Sequence, residues 1–374
     1  NNRGTLLQEL GRPREAVAAY RQALAIRPHY PEALHNLSEA LQDLHQMRDA
    51  IATCEQALAL DPEFADAHCG LAFALLREGD LKRGFEQYEW RFRRRDYLPL
   101  RRELQGPAWQ GEDLKGKIVL LYVEPAQGFG DTLQFARFAP ELAARGAMVL
   151  VECQPALVRL FGSLAGAAGI VSLGGHLPAF DLQASLMSLP YLLGTTLETI
   201  PASVPYLAPP ADVQTRWRKR LGAGGAFRVG LVWATHPGHE RRRSPRTLAL
   251  DALTPLASIP RIQLFSLQKG AASLPADMGL IDLGPELGDF ADTGAAIMNL
   301  DLVISVDTAV AHLAGALGRP VWTMLPFAAE WRWQLERRDS PWYPSMRLFR
   351  QPIWGDWTSV VAEVAAGLAS LARS

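Results

Sequence analysis

The 374-residue chain is poor in cysteine, in net charge and in long apolar runs. Its three cysteines, Cys54, Cys69 and Cys153, are neither spaced as metal ligands nor even in number, which excludes a zinc motif and a closed disulfide framework. They are expected as buried thiols in a reducing compartment, which points to the cytoplasm. Lys and Arg number 38 against 39 Asp and Glu, a formal charge of −1. No overall field therefore draws the chain to nucleic acid or to an anionic membrane. Apolar runs are broken by Gly, Pro or charge well short of the roughly 20 residues of a membrane span. No signal peptide is visible, but the chain opens at Asn1 in mid-pattern, and further sequence upstream is expected. What remains, 48% hydrophobic and 21% charged, is globular in composition, with length for two or three domains.

The first hundred residues repeat with a period of 34. GRPREAVAAYRQALAIRP (11–28), QMRDAIATCEQALALDP (46–62) and GDLKRGFEQYEWRF (79–92) align so that Ala16, Ala50 and Gly84 share one position and Tyr20, Cys54 and Tyr88 another. Pro28 and Pro62 share a third. A small residue where helices cross, an aromatic residue later, and Pro after the second helix resemble the tetratricopeptide repeat over residues 1–97. Each helix pair has an apolar face that only stacking can bury, so an α-solenoid is expected, serving either as a peptide- or protein-binding groove or as a spacer. A basic segment follows over 98–116. It and the residues before it carry Arg91, Arg93, Arg94, Arg95, Arg101 and Arg102, with Trp90, Tyr97 and Trp109 interleaved. A nucleic-acid patch is the less favoured reading. A solvated helix end with some arginines docking onto the next domain is preferred.

From Lys117 onward strands and helices alternate in two sets, which implies two parallel-sheet lobes, 117–212 and 226–350, and then a last helix in 356–374. Gly222, Gly224 and Gly225 are a plausible hinge between them. The fold class is thus α + α/β. The clearest unit is strand 302–306, a helix over 309–317 closed by Gly318 and Pro320, and strand 321–325. A helix opening at the carboxyl end of a parallel strand aims free N–H groups at the crevice, where they can hold phosphate, and the alternative is an ordinary βαβ unit with a capping Asp. Asp307 and Thr308 stand at that turn, and His312 lies one turn into the helix. In the first lobe Gln127, Gly128 and Gly130 form a tight loop ahead of Asp131, read either as a general base or as a helix N-cap. Lys269 ends a strand of the second lobe, positioned either to meet a diphosphate or as an exposed turn residue. Arg241, Arg242, Arg243 and Arg246 follow that lobe's first strand. Trp331, Trp333, Trp342 and Tyr343 serve either to stack a base or sugar or to pack the lobes.

The ordered set GFGDTLQFARF, LPYLLGTTLETIPASVPYL, RVGLVWA, LFSLQKG, DLGPELGDFADTGAAI, DLVISVDTAVAHLAGALGRPVWTMLPF, WRW and SPWYPSMRLFRQ resembles the heptosyltransferase-like region of bacterial tetratricopeptide-repeat proteins. That region belongs to glycosyltransferase family 9, of GT-B architecture with Rossmann-type sheets, and the resemblance covers about 105–374. It implies a nucleotide-sugar as donor substrate, no cofactor and no metal, and transfer to an acceptor hydroxyl, on a protein recruited by the repeats. Asp131 would be the base, within the cleft loop of Gln127, Gly128 and Gly130. Ser305, Asp307, Thr308, Ala309 and His312 would hold the donor, and Lys269 or Arg243 would offset the leaving-group charge. The sequence departs from the family in three places. Ala309 replaces a Gly, the loop before Asp131 is about two residues longer, and His236-Pro237-Gly238-His239 stands where a Lys before Trp-Pro is usual. ADP-heptose is the family's typical donor, and UDP-N-acetylglucosamine follows by analogy with repeat-bearing protein O-glycosyltransferases. Two alternatives stay open. One is a repeat scaffold with a degenerate, non-catalytic body. The other is a sugar-nucleotide epimerase using a carboxylate pair, Glu330 with Asp131.

Overall fold

The computed structural model describes residues 1–222, 224–235, 246–270, 274–275 and 278–372. The repeats form six helices: α1 (Asn2–Glu9), α2 (Pro13–Ile26), α3 (Pro31–Asp43), α4 (Met47–Leu60), α5 (Ala65–Glu78) and α6 (Leu81–Tyr88). Proline opens α2 and α3, where its missing N–H removes no helical bond. The shared small position is where helices touch. Ala16 and Ala50 are fully buried, and a Cβ on Gly84 would lie 2.6 Å from Leu76 Cγ. The array is therefore an α-solenoid that continues directly into the body through a 3₁₀ turn, Glu89–Arg93.

The body contains two all-parallel sheets among the described residues. The first runs β3 (Ala167–Ser172), β2 (Met148–Cys153), β1 (Ile118–Tyr122), β4 (Leu182–Ser185). Its helices include α7 (Phe129–Phe135), α8 (Ala139–Ala144), α9 (Val158–Phe161) and α10 (Leu189–Leu192). Helix α11 (Ala211–Leu221) leads to the second sheet, ordered β10 (Met346–Arg350), β9 (Val321–Leu325), β8 (Leu302–Val306), β5 (Phe227–Val232), β6 (Ile262–Ser266), β7 (Ile281–Asp282). With it pack α12 (Thr254–Ala257), α13 (Phe290–Ile297), α14 (Ala309–Ala316) and α15 (Trp357–Leu371). All residues of β8 and β9 are buried, as their unbroken apolar runs require. Strand order reverses at β1 in the first sheet and between β5 and β8 in the second, so the crevices at these switch points receive the loops after β1, β5 and β8.

Several local expectations shift. The helix expected from Thr132 to Arg145 begins at Phe129 and breaks into α7, a 3₁₀ turn and α8, because Pro140 has no N–H to offer the preceding turn. Strand β10 and helix α11 have no counterpart among the elements expected from sequence. The edge strand β10 follows an irregular, aromatic and Pro-containing stretch. Helix α11 buries only Val213 and Trp217, so its apolar stripe is one turn wide. Gly222 closes α11 at φ 67°, and Ala223, inside the expected hinge, lies outside the described residues.

One hydrophobic core runs through all three parts. Leu76, Leu81 and Phe85 of the repeats, Phe135 and Phe138 of the first lobe, and Trp331, Trp333 and Trp342 of the second belong to it. Phe85 meets Phe135 at 6.4 Å and Trp331 at 5.5 Å, both edge-on. The tryptophans thus pack lobes and repeats together. Polar contacts reinforce the junction. Arg91 is buried and donates to Glu124 after β1 at 2.6 Å, to Glu89 at 2.5 Å and to Ser188 at 2.6 Å. Arg102 makes a two-point bridge to buried Glu152 at 2.6 and 2.9 Å. Against the second lobe, His45 stacks on Phe327 at 4.1 Å and bonds its carbonyl at 2.8 Å, and Arg77 donates to Ala329 O at 3.2 Å. The array therefore rests on both lobes.

Replacing one member of a buried ion pair leaves the other charge desolvated. Arg91→Ala is expected to destabilise the chain by about 3–5 kcal/mol, read as a shift in the urea midpoint. A shift of surface size, under about 1 kcal/mol, would show that the Arg91–Glu124 pair does not hold the junction.

Candidate active site

The site is a cleft of about 930 Å³ between the lobes, lined by the loops that follow β1, β5, β6 and β8. From the first lobe come Gly128, Phe129, Gly130 and Asp131. From the second come Arg246, Lys269, Asp307, Thr308, Ala309, His312, Glu330 and Arg332. Phe73 and Tyr88 of the repeats complete the wall.

Helices α7 and α14 start at the cleft and touch each other across it. A Cβ on Gly130 would sit 2.9 Å from His312 Cδ2, so only glycine permits this approach. Gly128 is the N-cap residue of α7, which puts Asp131 in the helix's first turn rather than at its cap. The N-cap reading of Asp131 is thereby corrected. Its carboxylate is free of the backbone and accepts from Arg332 Nη2 at 2.6 Å through Oδ1. Among the described residues Oδ2 has no hydrogen-bond partner, and the side chain is about a quarter exposed. Arg332 also donates to Gln134 Oε1 at 2.6 Å and lies over the Trp331 ring. A buried cation from one lobe thus fixes a carboxylate of the other. Gln127 braces the loop from behind. It accepts from Glu124 N at 3.0 Å, donates to Thr132 Oγ1 at 3.1 Å, and its carbonyl accepts from Gln154 at 2.9 Å.

On the second lobe, Thr308 is the N-cap of α14 and makes no side-chain cap bond, leaving the first amides of the helix toward the cleft. Asp307 is buried and 3.5 Å from Arg246. Ser305 is fully buried beneath the turn, donating to Val306 O at 2.6 Å and bonding Thr308 Oγ1 at 2.9 Å. It shapes the turn and does not line the cleft. Lys269 lies at the rim with Nζ 3.0 Å from Gly288 O. Arg243 and the stretch His236–His239 lie outside the described residues. His312 is buried, with Nδ1 2.9 Å from Tyr343 Oη and its ring tilted 5.2 Å from Trp333. Burial first, then the cations Arg332, Arg137 and Arg246, hold it well below the usual 6.5, so it is neutral. Among the described residues no group of three His, Cys, Asp or Glu is arranged to hold a metal ion. No described helix is long and apolar enough to cross a membrane.

The described residues read from sequence thus divide two ways. Gly128, Gly130, Asp131, Lys269, Asp307, Thr308, Ala309 and His312 meet in one cleft. Ser305 and Gln127 support it from behind. Arg246, one of the arginines expected after the second lobe's first strand, also lines it, and Arg332, Phe73 and Tyr88 line it without a sequence expectation for the cleft. The sole sequence signal for Arg332 is a charge set between Trp331 and Trp333.

Two Rossmann-type lobes facing one another across a cleft, with loops from both sheets, define a GT-B-type body carried behind a repeat array. The comparisons agree. Residues 7–55 match the tetratricopeptide repeat family, and 270–351 match glycosyltransferase family 9 (heptosyltransferase). The chain thus carries a segment that matches the tetratricopeptide repeat and, behind it, one that matches glycosyltransferase family 9. Protein FlbA of Caulobacter vibrioides is 29% identical over 407 residues, an alignment spanning 100% of this chain and 67% of FlbA. The crystal structure of the family 9 glycosyl transferase from Veillonella parvula superposes with a TM-score of 0.52 at 10% identity, covering 71% of this chain and 100% of that one. This likeness is one of fold. The E. coli ADP-heptose lps heptosyltransferase II gives 0.47 at 13% identity, over 69% and 99% of the two chains.

His312 is neutral when folded but takes a proton in the unfolded chain below about pH 6.5, and His45 is displaced downward in the same way, by burial first. Unfolding therefore takes up protons on the acid side, and stability falls as pH drops below about 6.5. The melting temperature is expected to decline from pH 7 to pH 5, with a shallower acid limb in His312→Asn. Parallel limbs for the two proteins would show that His312 is charged in the fold.

Proposed function

We propose that the chain is a glycosyltransferase that moves a sugar from a nucleotide-diphosphate-sugar to an acceptor hydroxyl on a protein engaged by the repeats. The family 9 match supports sugar transfer as the class of chemistry. The single observation that carries the finer reading is that Asp131 and the Asp307–Thr308 turn share one cleft, with Asp131 oriented by Arg332.

In this reading the acceptor oxygen attacks the anomeric carbon. The new C–O bond forms as the bond from that carbon to the diphosphate oxygen breaks. Asp131 Oδ2 takes the hydroxyl proton, and the nucleoside diphosphate departs with the bonding pair. The first amides of α14, with Arg246 and Lys269, meet the diphosphate charge, and Asp307 accepts from a sugar hydroxyl. Ala309 adds a methyl beside the phosphates and leaves its own amide available. Neutral His312 sits under the donor as a packed, hydrogen-bonding wall and carries no charge toward it. No metal is required in this scheme, so transfer is expected to persist in EDTA. Free, buried Cys54, Cys69 and Cys153 are in keeping with a cytoplasmic location.

The test begins with calorimetry of the purified chain against ADP, UDP and GDP and their sugars. One nucleotide class is expected to bind saturably. Asp131→Asn should retain that affinity within about twofold while transfer falls by about 10²–10⁴, and Asp307→Ala should weaken donor binding about tenfold. A folded chain that binds none of these nucleotides would reverse the conclusion in favour of a repeat scaffold with a non-catalytic body. Unimpaired turnover in Asp131→Asn would remove Asp131 as the base.

A further inference from the structure

A second, smaller groove of about 280 Å³ runs between the last repeat helices and the loop after β1, and it ends on Asp131. It shares Phe73, Tyr88, Ala126, Asp131 and Met187 with the main cleft, so the two spaces meet at Asp131. Tyr88 stands at that junction. Its counterparts in the two preceding repeat units are packing residues. Tyr20 is fully buried, with its hydroxyl donating to Gln8 at 2.7 Å, and Cys54 is fully buried against Ser38. Tyr88 departs from this pattern. It is partly exposed, its ring packs at 5.6 Å from Phe73, and its hydroxyl has no hydrogen-bond partner among the described residues. The repeat position that elsewhere seals the solenoid here presents a phenol to the junction.

Apart from Asp131, whose Oδ2 is open, the groove's charged groups are already satisfied. Arg91 is used by Glu124, Glu89 and Ser188, and Arg94 by Asp96 at 2.9 Å and Asp66 at 3.3 Å. Gln127 is engaged with its own loop. What the groove offers an occupant is therefore mainly apolar surface, from Phe73, the Tyr97 ring, Leu100 and Met187, and the phenols of Tyr88 and Tyr97, of which Tyr88 is the one at the junction of the two spaces. A sugar ring entering there would leave several hydroxyls without partners. An extended peptide meets the lining better, since alternate side chains of a strand turn to one wall. We infer that this groove is the acceptor subsite, that it takes an extended peptide with an apolar side chain next to the Ser or Thr that reacts, and that Tyr88 hydrogen-bonds that segment as a positioning residue. The inference rests on the glycosyltransferase reading for the reaction, but not for the binding.

The test reads binding without turnover. The full chain is exposed to an oriented nine-residue peptide library with a central Ser, and the selected sequence is then measured by fluorescence anisotropy. Enrichment of apolar residues beside the Ser is expected, with acidic ones disfavoured. Met187→Glu, which sets a carboxylate on the apolar wall, should weaken the selected peptide at least about tenfold, and Tyr88→Phe by about three- to tenfold. Both variants should keep the parent's melting temperature and still bind nucleotide saturably. A flat library, or unaltered affinity in both variants, would overturn the inference, as would displacement of the peptide by a neutral oligosaccharide. Selected peptides with no nucleotide binding would leave the groove standing and refute the glycosyltransferase reading. Nucleotide binding with a flat library would do the reverse. In the presence of a donor, Tyr88→Phe should raise the KM for the peptide more than it lowers kcat, a split that a merely structural role would not give.

Discussion

A guanidinium supplied by one lobe holds a carboxylate supplied by the other, and the rest of the site is arranged around that pair. Arg332 is buried, so its charge is tolerable only beside anions, and Asp131 is the one it bridges, with Glu330 and Asp307 close enough to add to the field. The pair therefore favours one relation between the lobes, in which α7 and α14 approach until Gly130 rests on the ring of His312. In that relation the Asp131 carboxylate and the amides of α14 face one space. Burial among cations then settles the charge of His312, which stays neutral and leaves the local positive potential to arginine and the helix end.

Much of the fold was legible because its signals are local and redundant. The 34-residue period needs only three aligned positions, and the strands of both sheets announce themselves as unbroken apolar runs. What escaped was decided by neighbours distant in sequence. Strand β10 is an edge whose pairing with β9 defines it, and α11 gains its buried face only from Asp292 and the residues around α13. The site shows the same division. Glycines and short polar turns after strands mark Asp131, Asp307 and Thr308, because phosphate and hydroxyl chemistry needs such residues at strand ends. Arg332 carries no such mark, since its role comes from the other lobe. Ser305 illustrates the opposite error. It stands in the right turn, yet strand alternation sends its hydroxyl beneath the loop.

The cysteines show how packing silences chemistry. Burial pushes the thiols of Cys54 and Cys153 up to about 12 and that of Cys69 to about 11, so none is a thiolate near neutrality. Cys54 fills the position that Tyr20 fills one unit earlier, donating to Ser38 at 2.9 Å. A thiol and a phenol are interchangeable there because the position asks for bulk and one internal bond.

The repeat array touches the first lobe through Arg91 and Glu124 and the second through His45 and Arg77. It is thus a beam pinned to both lobes across the cleft. The lobes cannot part on that side without shearing a buried ion pair or unstacking His45 from Phe327. Freedom to gape is confined to the face turned away from the repeats. A chain lying along the array would stiffen the beam, so occupancy of the solenoid would reach the cleft as a change in rigidity, with the shape of both lobes preserved.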